Sequence, residues 1–164
     1  FLFFCQPTRR FAFEAFLPYD KKERAQILEN LRNETRTIII YEAPHHLKKT
    51  LKECREYLGN RNMTVCKELT KRYEQKRKAT LDEMIAYYEE NEPRGEYVLI
   101  FEGKSLQELK EEKQQEWNQL TVQEHMEHYL EKGMDKKSAM KQVAKDRGVG
   151  KRDVYRELVD RDKA

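Results

Sequence analysis

Thr37–His46 reads TIIIYEAPHH. A short, uninterrupted run of β-branched residues passes straight into a helix start, with Glu42 at the junction and Pro44 at the first helical position. Such a run has the pattern of a strand buried on both faces, and Pro is suited to the first turn of a helix, where its missing N–H costs nothing. Strand ends and open helix N-termini meet at junctions of this kind, which is where α/β proteins commonly hold ligands.

Working outward, Pro44 opens a helix whose Leu47, Leu51, Cys54 and Leu58 recur on one face until Gly59 stops it. Upstream, Phe11–Phe16 (FAFEAF) alternates its largest groups and is closed by Leu17-Pro18, which predicts a strand and a turn. Asp20 and Glu23 have capping-box spacing before a helix carrying Ile27, Leu28 and Leu31. Downstream, Met63–Leu69 predicts a third strand and Tyr73–Ala79 a charged fourth one. Thr80 and Glu83 begin another helix with Leu81, Met84, Ile85 and Tyr88 on one face, and Tyr97–Phe101 (YVLIF) predicts the fifth strand. Five strands interleaved with three helices give an α/β sheet layer over residues 1–103. Composition then shifts. Residues 104–119 are polar and predict a connecting helix. Residues 120–164 carry no strand signal and break at Gly133 and at Gly148 and Gly150 into three short helices, a separate all-helical module.

The chain is polar, with 38% charged residues and a mean hydropathy of -1.04. Seven Phe and nine Tyr nevertheless supply a core. Net charge is only +3, so the field of the whole chain demands no nucleic-acid partner. Its distribution is more telling: Lys67, Lys71, Arg72, Lys76, Arg77 and Lys78 stand against Glu68 and Glu74, a local excess of +4. With Tyr73 among them, these residues predict either an RNA backbone contact or an edge strand protected by its charges. Cys5, Cys54 and Cys66 show no CxxC or metal spacing and are read as reduced thiols of a cytoplasmic protein. No apolar run approaches the ~18 residues of a membrane span. The chain opens on Phe1-Leu2-Phe3-Phe4 without a Met, and is read as a piece of a longer protein.

Three predicted strands finish near a carboxylate, at Glu42, Glu68 and Glu102. If their ends share one edge of the sheet, the acids would line a polar rim able to hold hydroxyls or amines; otherwise they are ordinary strand ends meeting water. His45 and His46 lie in a first helical turn, which disfavours the imidazolium and fits ligand or RNA contact better than acid catalysis. His125 and His128 sit beside Glu124 and Glu127 and predict a surface helix face ahead of a metal site. In the last module Val143-Ala144, Gly148-Val149, Val154 and Leu158 have helix-turn-helix spacing. The second helix, however, balances Lys151, Arg152, Arg156 and Arg161 with Asp153, Glu157, Asp160 and Asp162, so it is a poor groove reader.

Taken in order, PTRRFAFEAFLP, RTIIIYEAPHHLKKTL, CKELTK and GEYVLIFEG resemble the C-terminal half of the 16S ribosomal RNA cytidine 2'-O-methyltransferases of the tetrapyrrole-methylase superfamily. QVAKDRGVGKRDVYREL is similar to the small helical domain that ends those proteins. The resemblance departs at His46, where many members carry Arg, and at Ala15, where many carry Gly. It implies a class III methyltransferase with S-adenosylmethionine held between two α/β domains, of which this chain is the second with its tail, so this stretch alone is expected to be inactive. It further implies a cofactor cleft approached by Tyr41, Glu42, Ala43 and Pro44, by Glu68, Leu69 and Thr70, and by Gly95 and Glu96. Lys67, Lys71, Arg72, Lys76, Arg77 and Lys78 would face the 16S rRNA of the small ribosomal subunit. The reaction would be in-line methyl transfer to a ribose 2'-oxygen, with Glu42 or Glu68 as candidate proton acceptors, more readily understood as holding groups. No metal is implied. A homodimer through the face left uncovered by the first domain is expected. The competing readings are a DNA-binding helix-turn-helix regulator with an α/β sensor domain, and a methylase for a small tetrapyrrole.

Overall fold

A computed structural model describes residues 7 and 9–161; Phe1-Leu2-Phe3-Phe4 and Cys5 lie outside the described residues. The chain forms two compact units, Phe1–Ser105 and Leu106–Ala164.

In the first unit the elements run β1 (Phe11–Phe16), α1 (Lys21–Leu31), β2 (Thr37–Glu42), α2 (Pro44–Leu58), β3 (Asn62–Lys67), β4 (Gln75–Thr80), α3 (Leu81–Glu90) and β5 (Tyr97–Phe101). The five strands form one sheet in the order β1-β2-β5-β3-β4. Only β1 and β2 are parallel; β5 runs antiparallel between β2 and β3, and β4 antiparallel to β3. The fold is therefore α/β with a mixed sheet.

Alternation along the strands divides the sheet into two faces. Ala12, Ile38, Ile40, Met63, Val65, Leu99 and Phe101 pack against Leu28 and Leu31 of α1, Leu47, Leu51 and Cys54 of α2, and Leu81 and Met84 of α3 in one core. The helix starts are fixed as their residues dictate: Asp20 accepts from the Glu23 N–H at 2.8 Å, and Thr80 with Glu83 closes a full capping box. FAFEAF does form a strand, with its large groups turned away from that core: Phe11, Phe13 and Phe16 are exposed while Ala12 is buried. Phe13 and Phe16 instead meet Tyr41 edge-on, with ring centroids at 5.0 and 5.8 Å.

The second unit contains α4 (Leu106–Gln119), α5 (Val122–Glu131), α6 (Lys136–Arg147) and α7 (Lys151–Arg161). Its core is Val122, Met126, Ala139, Met140, Val143, Ala144 and Val154. The segment expected as a connector is α4, and it is packed inside this unit: Trp117 lies flat on His125 at 3.9 Å, and Gln114 donates to the Arg147 carbonyl at 2.5 Å. His125, expected on a surface face, is fully buried. Gly148 ends α6 in left-handed backbone at φ 65°, and α7 follows after a short turn.

Candidate functional site

Strand direction decides which of the candidate residues can meet. Because β2 and β3 both run antiparallel to β5, the ends of β2 and β3 and the start of β5 share one edge, with Tyr97 paired to Glu42 on one side and to Lys67 on the other. Tyr41–Pro44, Glu68–Thr70 and Gly95–Glu96 therefore converge there. Glu102 does not join them. It follows the far end of β5, where its N–H donates to the Asn62 carbonyl at 2.9 Å and its Oε2 accepts from Asn62 Nδ2 at 2.9 Å. The rim of three acids expected from the sequence is thus a rim of two, because the strand bearing the third runs the other way.

Glu42 is buried at this edge and already engaged. Its Oε1 accepts from the Ala43 N–H at 2.8 Å, and its Oε2 takes a short hydrogen bond from the Thr50 hydroxyl. Thr50 in turn accepts from Arg24 Nη2 at 2.8 Å, and Arg24 Nε lies 2.6 Å from Glu53 Oε2. The chain Glu42–Thr50–Arg24–Glu53 ties the end of β2 to α2 and α1. Both oxygens of the Glu42 carboxylate therefore have donors within the unit.

Glu68 closes a second clasp on the same edge. Its N–H donates to the Glu96 carbonyl at 2.9 Å, and its Oε1 accepts from the Glu96 N–H at 2.8 Å. Lys71 Nζ bridges Glu96 Oε2 at 2.8 Å and Glu68 Oε1 at 3.4 Å. The Glu96 N–H, assisted by Lys71, holds the Glu68 carboxyl below its ordinary range, and Glu96 draws the Lys71 ammonium upward. Gly95 makes the clasp possible. It lies at φ 85°, and a Cβ there would fall 2.5 Å from Glu68 Oε1. Glu68 and Thr70 themselves lie in left-handed backbone at φ 51° and 66°, and Glu74 Oε2 accepts from the Thr70 N–H at 2.8 Å. Two non-glycine residues in that region within one short loop mark a strained segment, of the kind concentrated at functional sites.

The six cations of the basic stretch do not form one surface. Lys71 and Lys76 are ion-paired, Lys76 with Glu74 at 2.7 Å. Arg77 lies over the Tyr87 ring of α3 at 3.7 Å, on the helix-covered side with Val65, its β3 partner. Lys78 faces the other way, opposite Thr64, and Arg72 rests on Tyr73 at 5.5 Å. His45 and His46 lie together in the first turn of α2 with ring centroids at 4.3 Å, and His46 meets Tyr19 at 5.4 Å. Cys54 and Cys66 are free and buried, and burial pushes their thiols up to about 12 and about 11. Among the described residues no cluster of three or more His, Cys, Asp or Glu is arranged to hold a metal, and no helix is long and apolar enough to cross a membrane.

No family model matches the chain. Over 145 residues, 88% of this chain and 49% of the relative, it is 47% identical to ribosomal RNA small subunit methyltransferase I of Bacillus subtilis (strain 168). The proteins of the same name in Halalkalibacterium halodurans and Synechocystis sp. are 45% and 37% identical over 149 residues each. The chain is a homologue of these methyltransferases. It spans about half the length of the relatives it matches.

The sequence reading missed Arg24, Thr50 and Glu53. A signal was present for Arg24, which falls at i, i+3, i+4 and i+7 with Ile27, Leu28 and Leu31, on the buried stripe of α1. The same spacing, Val122, His125, Met126 and Tyr129, marks His125 as a core position of α5.

Proposed function

We propose that this chain is the part of a small-subunit ribosomal RNA methyltransferase that supplies one wall of the S-adenosylmethionine cleft and contacts the 16S rRNA. The observation that carries the reading is the convergence of Tyr41–Pro44, Glu68–Thr70 and Gly95–Glu96 on a single sheet edge, in a chain whose relatives bear that name. The edge suits such a cofactor in kind: α2 begins with no side chain capping its first turn, and with the Ala43 N–H taken by Glu42 and the His46 N–H by the Ala43 carbonyl, the His45 N–H is the first-turn donor left for a carboxylate or ribose oxygen.

When bound, the cofactor supplies an activated methyl group on a sulfonium, leaving alignment and removal of one proton from the 2'-hydroxyl as the remaining tasks. Glu42, locked between Ala43 and Thr50, fixes the start of α2 against the cleft. Glu68 and Lys71 fix the Gly95–Glu96 loop against the end of β3. Both acids position. Lys67, Arg72 and Lys78 are the cations of the basic stretch offered to RNA, since among the described residues Lys71 and Lys76 are neutralised by ion pairs and Arg77 is laid against the Tyr87 ring of α3. The exposed aromatic face of Phe11, Phe13, Phe16 and Tyr41 supports a homodimer, and the RNA substrate supports a cytoplasmic location.

The test is methyl transfer from labelled S-adenosylmethionine to 16S rRNA by the full protein containing this chain. Label is expected in an alkali-resistant 2'-O-methylated dinucleotide. Gly95→Ala, which drives a Cβ into Glu68, is expected to reduce transfer at least tenfold. Label found on a base, or undiminished transfer by Gly95→Ala, would overturn the reading of this edge.

A further inference from the structure

Charge in the second unit is segregated by helix. Helix α6 holds Lys136, Lys137, Lys141, Lys145 and Arg147 against Asp146 alone, a net +4. Helices α4 and α5 are both net acidic, and α7 offsets its cations with Asp153, Glu157 and Asp160. Within α6 the charges divide again by role. Asp146 and Arg147 are turned inward: Asp146 accepts from the Tyr129 hydroxyl at 2.5 Å and from Gln142 at 2.8 Å, and Arg147 donates to His125 Nδ1 at 3.2 Å and to the Leu120 carbonyl at 2.6 Å. The four lysines are exposed, and none of them makes an ion pair with a described residue.

Lys137, Lys141 and Lys145 are four residues apart, so they form one row along the helix at a spacing of about 6 Å. Ser138 and Gln142 lie beside that row, and with Met134, Lys141 and Lys145 they line an open depression of about 440 Å³. A solvated helix face ordinarily mixes signs through i, i+4 pairs. Here the one acid of α6, Asp146, is turned to Tyr129 and Gln142, and Asp135 ahead of the helix is committed to capping it, accepting from the Lys137 and Ser138 N–H groups at 3.0 and 3.1 Å, which leaves the three lysines as the unpaired charges of the row. That is the pattern of a phosphate-backbone contact. On α7, by contrast, Arg156 lies 3.8 Å from Asp153.

We propose that α6, the first helix of the helix-turn-helix, docks the RNA substrate through its phosphate backbone with Lys137, Lys141 and Lys145, and that α7 supports it without reading bases. The proposal rests on the rRNA reading above and extends it to a surface on the second unit.

The test is equilibrium binding of the full chain to 16S rRNA across a range of salt concentrations, with duplex DNA as a comparison. The wild type is compared with Lys137→Gln/Lys141→Gln/Lys145→Gln and with Lys151→Gln/Arg152→Gln/Arg156→Gln. Circular dichroism melts establish that each variant is folded, as expected for exposed positions. The α6 variant is expected to bind 16S rRNA at least tenfold more weakly, with a salt slope lower by roughly 2, since each lost single-strand phosphate contact removes about 0.7. The α7 variant is expected to change affinity less than threefold. Unchanged affinity and slope in the α6 variant, a larger loss in the α7 variant, or tighter binding to DNA than to RNA would overturn the proposal. Labelled-methyl transfer to 16S rRNA reads the underlying function separately: transfer that persists while the α6 variant binds normally discards this surface alone.

Discussion

Ala15 sits in β1 at φ 51°, where the register against β2 slips between Phe13 and Ala15. A bulge needs one residue in an unusual conformation, and for an L-residue with a Cβ the left-handed region costs roughly 1–2 kcal/mol. Glycine occupies it freely at the expense of a more entropic unfolded chain. Ala15→Gly is therefore expected to stabilise the first unit by about 1 kcal/mol, read as a higher urea midpoint at unchanged slope. A lower midpoint would show that the Ala15 side chain matters more than its backbone strain.

At the scale of elements, α2 is held to the sheet edge by Thr50, which links Glu42 to Arg24 across a buried site. Thr50→Val keeps the shape and removes the hydroxyl, leaving Glu42 Oε2 and Arg24 Nη2 each short of a partner. Orphaning buried groups costs roughly 1–3 kcal/mol apiece, so a loss of about 2 kcal/mol in urea unfolding is expected; a loss below about 0.5 kcal/mol would mean that the network is bypassed. Much of this level was legible in the sequence. Strands appeared as alternating or β-branched runs, and helix starts as capping pairs at Asp20 and Thr80. Strand direction was not legible, since insertion of β5 between β2 and β3 is a pairing of segments far apart in the chain, and nothing local in GEYVLIFEG states it. That is why Glu102 was expected beside Glu42 and Glu68. In FAFEAF, alternation identified a strand without identifying its core face, because either the Phe set or the Ala set satisfies period two. Composition showed the +4 cluster around β4; its dispersal over two faces and into ion pairs follows from tertiary contacts that composition does not carry.

For the whole molecule, the decisive property is that each unit has a hydrophobic core of its own, so each can open at its own free energy. They also differ in what a mild fall in pH does to them. His125 is fully buried, with Trp117 stacked on it, Arg147 Nε donating to its Nδ1, Asp146 Oδ2 3.5 Å from its Nε2, and His128 and Tyr129 of its own helix beside it. Burial and the Arg147 guanidinium lower its pKa, outweighing the opposite pull of Asp146. A group whose folded pKa lies below its unfolded value near 6.5 stays neutral in the fold and binds a proton on unfolding. The stability it contributes is thus fully present above about pH 6.5 and is lost as pH falls toward the folded pKa. Protonation would also put a second donor where Nδ1 accepts from Arg147. In the first unit the lowered carboxyls, among them Glu34 held at about 2 by Arg36 and Glu68 held down by the Glu96 N–H, lose their contribution only as pH falls below the ordinary carboxylate range. Between pH 7 and pH 5, hydrogen-exchange protection factors in α5 and α6 are therefore expected to fall several-fold while those of β2, β5 and β3 hold. Protection in α5 and α6 that is flat over this interval, or that declines in step with the sheet, would show that His125 does not carry the pH response of the second unit.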